Sequence, residues 1–173
     1  MTSGADEPTA PRRALTPADL AALAAASEAA DQPAAVFGAV EALSAATIGH
    51  RLFTIMRFDA ARSEVERVHT SLPSAYPVGG RKAKPESAWS NQLLRDRKVF
   101  LATDPDQIRA AFDDHATILG LGLGSILNVP VVFDGRCIGT MNLCHRAGWY
   151  TADDEQTGRL LAAFLVAPLL RNP

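Results

Sequence analysis

The densest chemistry in the chain lies in Tyr76-Pro77-Val78-Gly79-Gly80-Arg81-Lys82-Ala83-Lys84. Adjacent glycines let backbone amides approach an anion closely, and Arg81 with Lys84 could hold a carboxylate or phosphate, the arginine through a two-pronged fork. Tyr76 opens this segment, and Trp89 beyond it would supply an aromatic wall. The same residues also fit a solvated loop and a tryptophan buried in a core. His69, at the end of a strand just before the loop, and Ser125, at the start of another, are further ligand-binding candidates, with a satisfied core or surface position as the competing reading of each. Asp113-Asp114-His115 invites a metal or acid–base role. Neighbours on a helix project about 100° apart, however, so this triplet holds no i, i+4 ligand pair, and His50, His69 and His145 are far apart in sequence. No metal site is expected; His115 stays a ligand-contact candidate.

Nothing else assembles a catalytic set. Cys137 and Cys144 fall on one strand seven residues apart, where strict alternation points them to opposite faces, so they cannot pair. Gly120-Leu121-Gly122-Leu123-Gly124 leaves a helix for a strand, the reverse of a phosphate-binding turn. No Ser/His/Asp order, nucleotide motif or carboxylate pair stands out, so no catalytic residue is assigned and no cofactor is expected.

The 173 residues, 47% hydrophobic and 21% charged with a formal net charge of −2, fit one soluble globular domain. At this size a single core buries roughly 70% of the unfolded surface without help from a disulfide or metal. Scattered arginines and lysines argue against a nucleic-acid partner. No apolar run reaches the ~18 residues of a membrane span, and Asp6 and Glu7 stand where a signal peptide would be basic. A cytoplasmic protein with reduced thiols, away from membranes, is expected.

The elements that must position these side chains can be read in order. Residues 1–15 carry too little apolar surface to offset the entropy of ordering and read as a flexible tail, with a single domain over 16–173. Thr16-Pro17-Ala18-Asp19 caps a helix running to about Ala30; a second, with Val36, Phe37, Val40 and Leu43 on one stripe, ends at Gly49. Arg51 to Phe58 and Val65 to Thr70 form a hairpin, and Ser71 to Pro85 a loop. A short helix capped near Ser87, a strand at Val99 to Ala102 and a helix from Asp104 through Phe112 and Ile118 follow. Ser125 to His145 reads as a second hairpin about Asp134-Gly135, with Leu127, Val129 and Val131 on one face, before a terminal helix to Leu170. Strands gathered in hairpins with helices at both ends make an α+β fold, a central antiparallel sheet with terminal helices on one face and a roofed cavity on the other.

Ser125, Leu127, Val129, Pro130 and Val131, then Gly135, Ile138, Gly139, Thr140 and Met141, then Tyr150, Thr151 and Asp154 follow the wording S-x-L-x-V-P-L, G-x-x-I-G-V-L and F-T-x-x-D. In these the chain resembles the C-terminal half of a GAF domain, a PAS-related sensory fold, and the derived element order extends the likeness over about Pro33 to Leu170. The resemblance implies a regulatory module that binds a small molecule, anionic or aromatic, under a roof built from the loop and the helix after it. It also implies an Arg146 to Asp154 ion pair clamping the last strand to the last helix, and a homodimer through the first and terminal helices, the latter presenting Leu160, Leu161, Phe164 and Leu165. His145 stands where cyclic-nucleotide-binding relatives carry Asn. Bilin attachment and free methionine-R-sulfoxide reduction each require a cysteine in the middle region, and none lies between Ser71 and Gly124. A redox enzyme of that second kind is the alternative reading. A haem would need His69 or His115 in the pocket.

Overall fold

The computed structural model describes residues 12–171. Six strands, β1 (Leu52–Asp59), β2 (Glu64–Thr70), β3 (Arg81–Ala83), β4 (Phe100–Ala102), β5 (Ser125–Phe133) and β6 (Arg136–His145), form one sheet ordered β3-β2-β1-β6-β5-β4. Every neighbouring pair is antiparallel. Asp134 and Gly135 both take positive φ, 49° and 67°, the conformation that closes a two-residue hairpin with the twist of its strands. β4 pairs only with Ile126–Asn128, so at Pro130 β5 is an edge on that side and tolerates a residue without an amide donor.

Four helices cover one face: α1 (Pro17–Glu28), α2 (Ala34–Thr47), α6 (Asp154–Ala163) and α7 (Val166–Leu170). α1 starts in a capping box, Thr16 Oγ1 accepting from Asp19 N at 3.3 Å while the Asp19 carboxylate accepts from Thr16 N at 2.9 Å. Leu23, Val36, Phe37, Val40, Leu161 and Leu165 pack against Phe53, Ile55, Leu127, Val129, Met141 and Leu143 in the main core. Gly139 permits the closest approach, because a Cβ there would lie 2.4 Å from Met56 O and 2.6 Å from Leu169 Cδ1. Leu161 and Leu165 are wholly buried in this core, so of the terminal stripe expected at a dimer interface Leu160, 46% exposed, is the residue left well exposed.

The other face is roofed by α3 (Ala88–Ser90) with the π-helical turn Asn91–Arg95, α4 (Pro105–Ala111) and α5 (His115–Gly120). Trp89, Leu93 and Leu94 pack there, as do Ile108 and Ile118 against Leu52 and Ile126. Two expectations change. The single helix from Asp104 through Ile118 is two, because Phe112 turns extended (φ −129°, ψ 127°) and sets its ring edge-on to Trp89 and Phe100, with centroids 6.0 and 5.8 Å away. The expected loop contains β3, whose Arg81 and Lys82 pair with Glu66 and Val65.

Two β-bulges shift the phase of the sheet. Ile55 pairs with His69 but Met56 with Arg67, leaving Val68 unmatched; Val131 pairs with Gly139 but Val132 with Cys137, leaving Ile138 unmatched. The second puts Cys137 on the roof side with Cys144, not on the opposite face as strict alternation implies. The thiols still cannot pair, since seven residues of strand hold them roughly 20 Å apart.

Residues 1–11 of the expected tail lie outside the described residues. Arg12 at its end is tied down: Nη1 donates to Asp154 Oδ1 at 2.8 Å, Nη2 to Trp149 O at 2.7 Å, and the guanidinium lies 4.3 Å from the Trp149 ring centroid. Asp154 therefore takes Arg12 as its partner in place of Arg146, which lies over the Trp149 ring at 5.0 Å. The second Asp154 oxygen accepts from Thr151 N at 2.9 Å, at the entry to α6.

Candidate functional site

Between the sheet and its roof lies a cavity of about 250 Å3. Its floor is a polar line across three adjacent strands, Thr54 on β1 opposite Asn142 on β6, itself opposite Asn128 on β5. The roof fixes the direction of this line. Trp89 Nε1, which can only donate, gives its proton to Asn128 Oδ1 at 2.9 Å, so Asn128 Nδ2 donates to Asn142 Oδ1 at 2.9 Å. Asn142 Nδ2 in turn donates to Thr54 Oγ1 at 3.2 Å and Thr140 Oγ1 at 3.1 Å. With its oxygen receiving, Thr54 keeps a hydroxyl proton to offer on the cavity floor. Leu52, Ile118, Ile126 and Phe112 make the remaining surface apolar.

One wall is cationic. The bulge at Val68 leaves Val65 and Arg67 on the cavity side of β2, and Lys82, paired with Val65, shares that side. Arg67 Nη1 donates to Pro77 O at 3.0 Å, its guanidinium lies 4.9 Å from the Tyr76 ring centroid, and its buried Nε has no hydrogen-bond partner among the described residues. Gly80 makes room for it, since a Cβ there would stand 3.0 Å from Arg67 Nη1. Lys84 lays its ammonium on the Trp89 ring, 4.3 Å from the centroid. Burial, and after it the charge of Lys82, pulls the Lys84 ammonium down to about 8; burial likewise lowers Arg67. The anionic wall residue is Asp114, 3.4 Å from Lys82 Nζ. Burial pushes the Tyr76 phenol up to about 12, with Asp114 adding to the shift.

Of the residues expected at a site, Tyr76, Lys84 and Trp89 line this cavity together. Arg81 borders it, yet its guanidinium pairs with Glu64 at 3.3 Å and Glu66 at 2.9 Å, which are cross-strand neighbours on the opposite face from Val65 and Lys82. Strand β3 thus turns the expected anion fork away from the cavity. His69 is also displaced: past the bulge it faces α2, hydrogen-bonded to Glu41 Oε2 at 2.5 Å and 5.6 Å from the Phe37 ring. Ser125 is a satisfied core residue, donating to Ala102 O at 3.0 Å and accepting from Tyr150 N at 3.3 Å. His115 Nδ1 bonds Phe112 O at 2.8 Å at the start of α5, outside the cavity lining. Neither His69 nor His115 is among the residues that line this cavity. Among the described residues no group of three or more His, Cys, Asp or Glu could hold a metal ion.

Sequence reasoning passed over Thr54, Arg67, Asn128 and Asn142, and weighed Asp114 only for a metal or acid–base role. A usable signal existed in the asparagines. Asn128 and Asn142 sit mid-strand among Leu, Val and Met, where asparagine is disfavoured unless something on the buried face hydrogen-bonds it.

A family model described as a GAF domain matches residues 21–167. No curated protein matches the chain. Among solved structures, the GAF domain of a phosphoenolpyruvate-protein phosphotransferase from Coxiella burnetii superposes with a TM-score of 0.67 at 16% identity, covering 87% of this chain and 92% of that one. The GAF domain of a two-component sensor histidine kinase from Bacillus halodurans gives 0.67 at 14% identity, over 81% and 95%. Free methionine-R-sulfoxide reductase from Neisseria meningitidis, solved with its substrate, gives 0.59 at 16% identity, over 87% and 85%. At these identities the likeness is one of fold. Among the described residues no helix is long and apolar enough to cross a membrane.

Proposed function

The chain belongs to the GAF domain family, and from that premise we propose that it is a sensory module whose roofed cavity takes up a small organic anion with an apolar or aromatic body. One observation carries this reading. Arg67 and Lys84 stand on the cavity wall with no carboxylate of the described residues within 4 Å, beside a third cation already shared with Asp114. Half-buried cations offset only by Asp114 and Asp113 at longer range cost stability, and an anionic guest in direct contact relieves that cost. The tryptophan, phenylalanine and aliphatic surface suits the guest's body, and the Thr54 hydroxyl suits an acceptor atom on it. Native mass spectrometry of the purified protein tests the reading: a retained or added anion should bind, and Arg67→Ala should weaken it about tenfold or more. Equal affinity in that variant would defeat the proposal. The signal would pass to a second copy or a separate partner, with exposed Leu160 on α6 as a contact point; light scattering over a concentration series decides between dimer and monomer.

Cys144 lines the cavity, which favours the redox alternative, since a thiolate there could meet a substrate. Its environment opposes that chemistry. Burial pushes the Cys144 thiol up to about 12 and the Cys137 thiol to about 11, so neither supplies a nucleophile near neutral pH, and the distance between them leaves no resolving partner. Turnover of free methionine sulfoxide that Cys144→Ser abolishes would reverse this preference.

A further inference from the structure

We propose that Lys84 captures a small oxo acid as a protonated imine, the guest's carboxylate lying against Arg67 and its carbonyl carbon reaching Lys84 Nζ. This rests on the anion-binding reading of the same cavity and narrows the guest to a carbonyl compound. A wall that only had to hold a carboxylate would be better served by arginine, whose planar fork binds it in two places. The chain is rich in arginine. It has just three lysines, Lys82, Lys84 and Lys98, and two of them line this cavity. Arginine cannot lose its proton in a protein, whereas an amine beside other cations and out of water can, which is the setting that turns lysine into a nucleophile. Lys84 has that setting: it lines the cavity with no carboxylate within 4 Å among the described residues, burial and then Lys82 lower its basicity, with Arg67 adding, against the opposing pull of Asp114 and Asp113, and an indole face 4.3 Å beneath its nitrogen holds it in place.

The step balances without an oxidant or reductant. The lone pair of neutral Nζ forms a bond to the carbonyl carbon, the carbonyl oxygen gains a proton, and the nitrogen loses one, giving a carbinolamine. That hydroxyl then leaves as water with a second proton as the C=N bond forms, and the nitrogen ends with one positive charge. Lys82 with Asp114, 3.4 Å apart, is the proton-carrying pair on the same wall. Because the iminium keeps its charge, it keeps the attraction to the Trp89 ring. A cavity of about 250 Å3 lies below the ~300–1,000 Å3 of drug-sized sites, so a short-chain or single-ring oxo acid fits.

The test incubates the protein with pyruvate or phenylpyruvate and sodium cyanoborohydride, then maps the adduct by peptide mass spectrometry. Lys82 and Lys98 are internal controls. The expected result is one adduct at Lys84, roughly tenfold or more above either control, as its lowered basicity leaves more neutral amine near pH 7. Lys84→Arg should lose it while retaining the charge; should that variant fail to fold, the wild-type map still decides. Lactate and phenyllactate, the same anions without a carbonyl, are titrated in parallel by calorimetry. Hydroxy acids that bind while oxo acids leave no adduct, or adducts spread evenly over the three lysines, overturn the imine and leave the anion reading standing. Absence of both binding and adduct overturns the two together.

Discussion

Replacing Lys84 with methionine should stabilise the empty protein and weaken its hold on an anion. Burial, and then Lys82, brings the ammonium from its ordinary 10.5 down to about 8. At ~1.4 kcal/mol per pH unit, the full shift would represent a penalty of about 3 kcal/mol, and solvent screening of this partly exposed group brings it to about 1.5 kcal/mol. Methionine packs on Trp89 but forfeits the cation–π attraction, ~0.5 kcal/mol, leaving a net gain of about 1 kcal/mol, or ~2–4 °C in Tm at neutral pH. The folded protein binds fewer protons at Lys84 than the unfolded chain between about pH 8 and the ordinary value of 10.5. Wild-type stability therefore gains from this residue as pH rises through that window, and below about 8 the penalty is present in full. Thermal melts from pH 6 to 10 should show the variant ahead below pH 8 and the difference closing above it. A variant that melts lower at pH 7, with the same pH slope as wild type, would refute the claim that this lysine is held at a cost.

The floor, the sheet and the thiols give three further expectations. Asn128→Leu strands the Trp89 indole N–H and the Asn142 carbonyl together in the interior, and denaturant titration should show a loss of about 2–3 kcal/mol. Gly139→Ala drives a methyl to within 2.4 Å of Met56 O, where backbone must move; a loss of about 3 kcal/mol or more, seen as a lower denaturation midpoint or insoluble protein, is expected. With their thiols held at about 11 and about 12, Cys137 and Cys144 should resist a disulfide reagent at pH 8 in the folded state and react at once in denaturant.

The fold was legible because its signals are local and periodic. Thr16-Pro17-Ala18-Asp19, the Asp134-Gly135 turn and the alternation of Leu127, Val129 and Val131 each specify one element without reference to the rest of the chain. The site was only half legible. Tyr76, Lys84 and Trp89 were found because they cluster in sequence, but strand alternation was extrapolated through positions where it fails. One unmatched residue, Val68, carries His69 onto the helix side and Arg67 onto the cavity side; another, Ile138, carries Cys137 to the roof. A bulge leaves no compositional mark in a single sequence, whereas each reverses the facing of every residue beyond it. β3 failed for a different reason: three exposed residues, Arg81 to Ala83, show no hydrophobic pattern and become a strand only because β2 offers them a free edge.

These irregularities also explain how one sheet serves two purposes. On the helix side, Phe53, Ile55, Leu127, Val129, Met141 and Leu143 form a continuous apolar surface against four helices, and that surface supplies the stability. The roof side can then hold features that weaken a fold: a line of buried amides, and Arg67 and Lys84 half-buried with no carboxylate of the described residues within 4 Å. Had β2 kept strict alternation from Ile55 outward, Arg67 would sit beneath α2 beside Phe37, and the cavity would lose its strongest anion donor while the core acquired a buried charge. The Val68 bulge prevents both at once. Deleting Val68 keeps Ile55 opposite His69 and Met56 opposite Arg67, so it should restore regular alternation with Arg67 still on the cavity side and anion binding retained, whereas Arg67→Ala should weaken binding with little loss of stability; loss of binding in the deletion would show that the local twist of the bulge, and not the facing of Arg67 alone, positions the site.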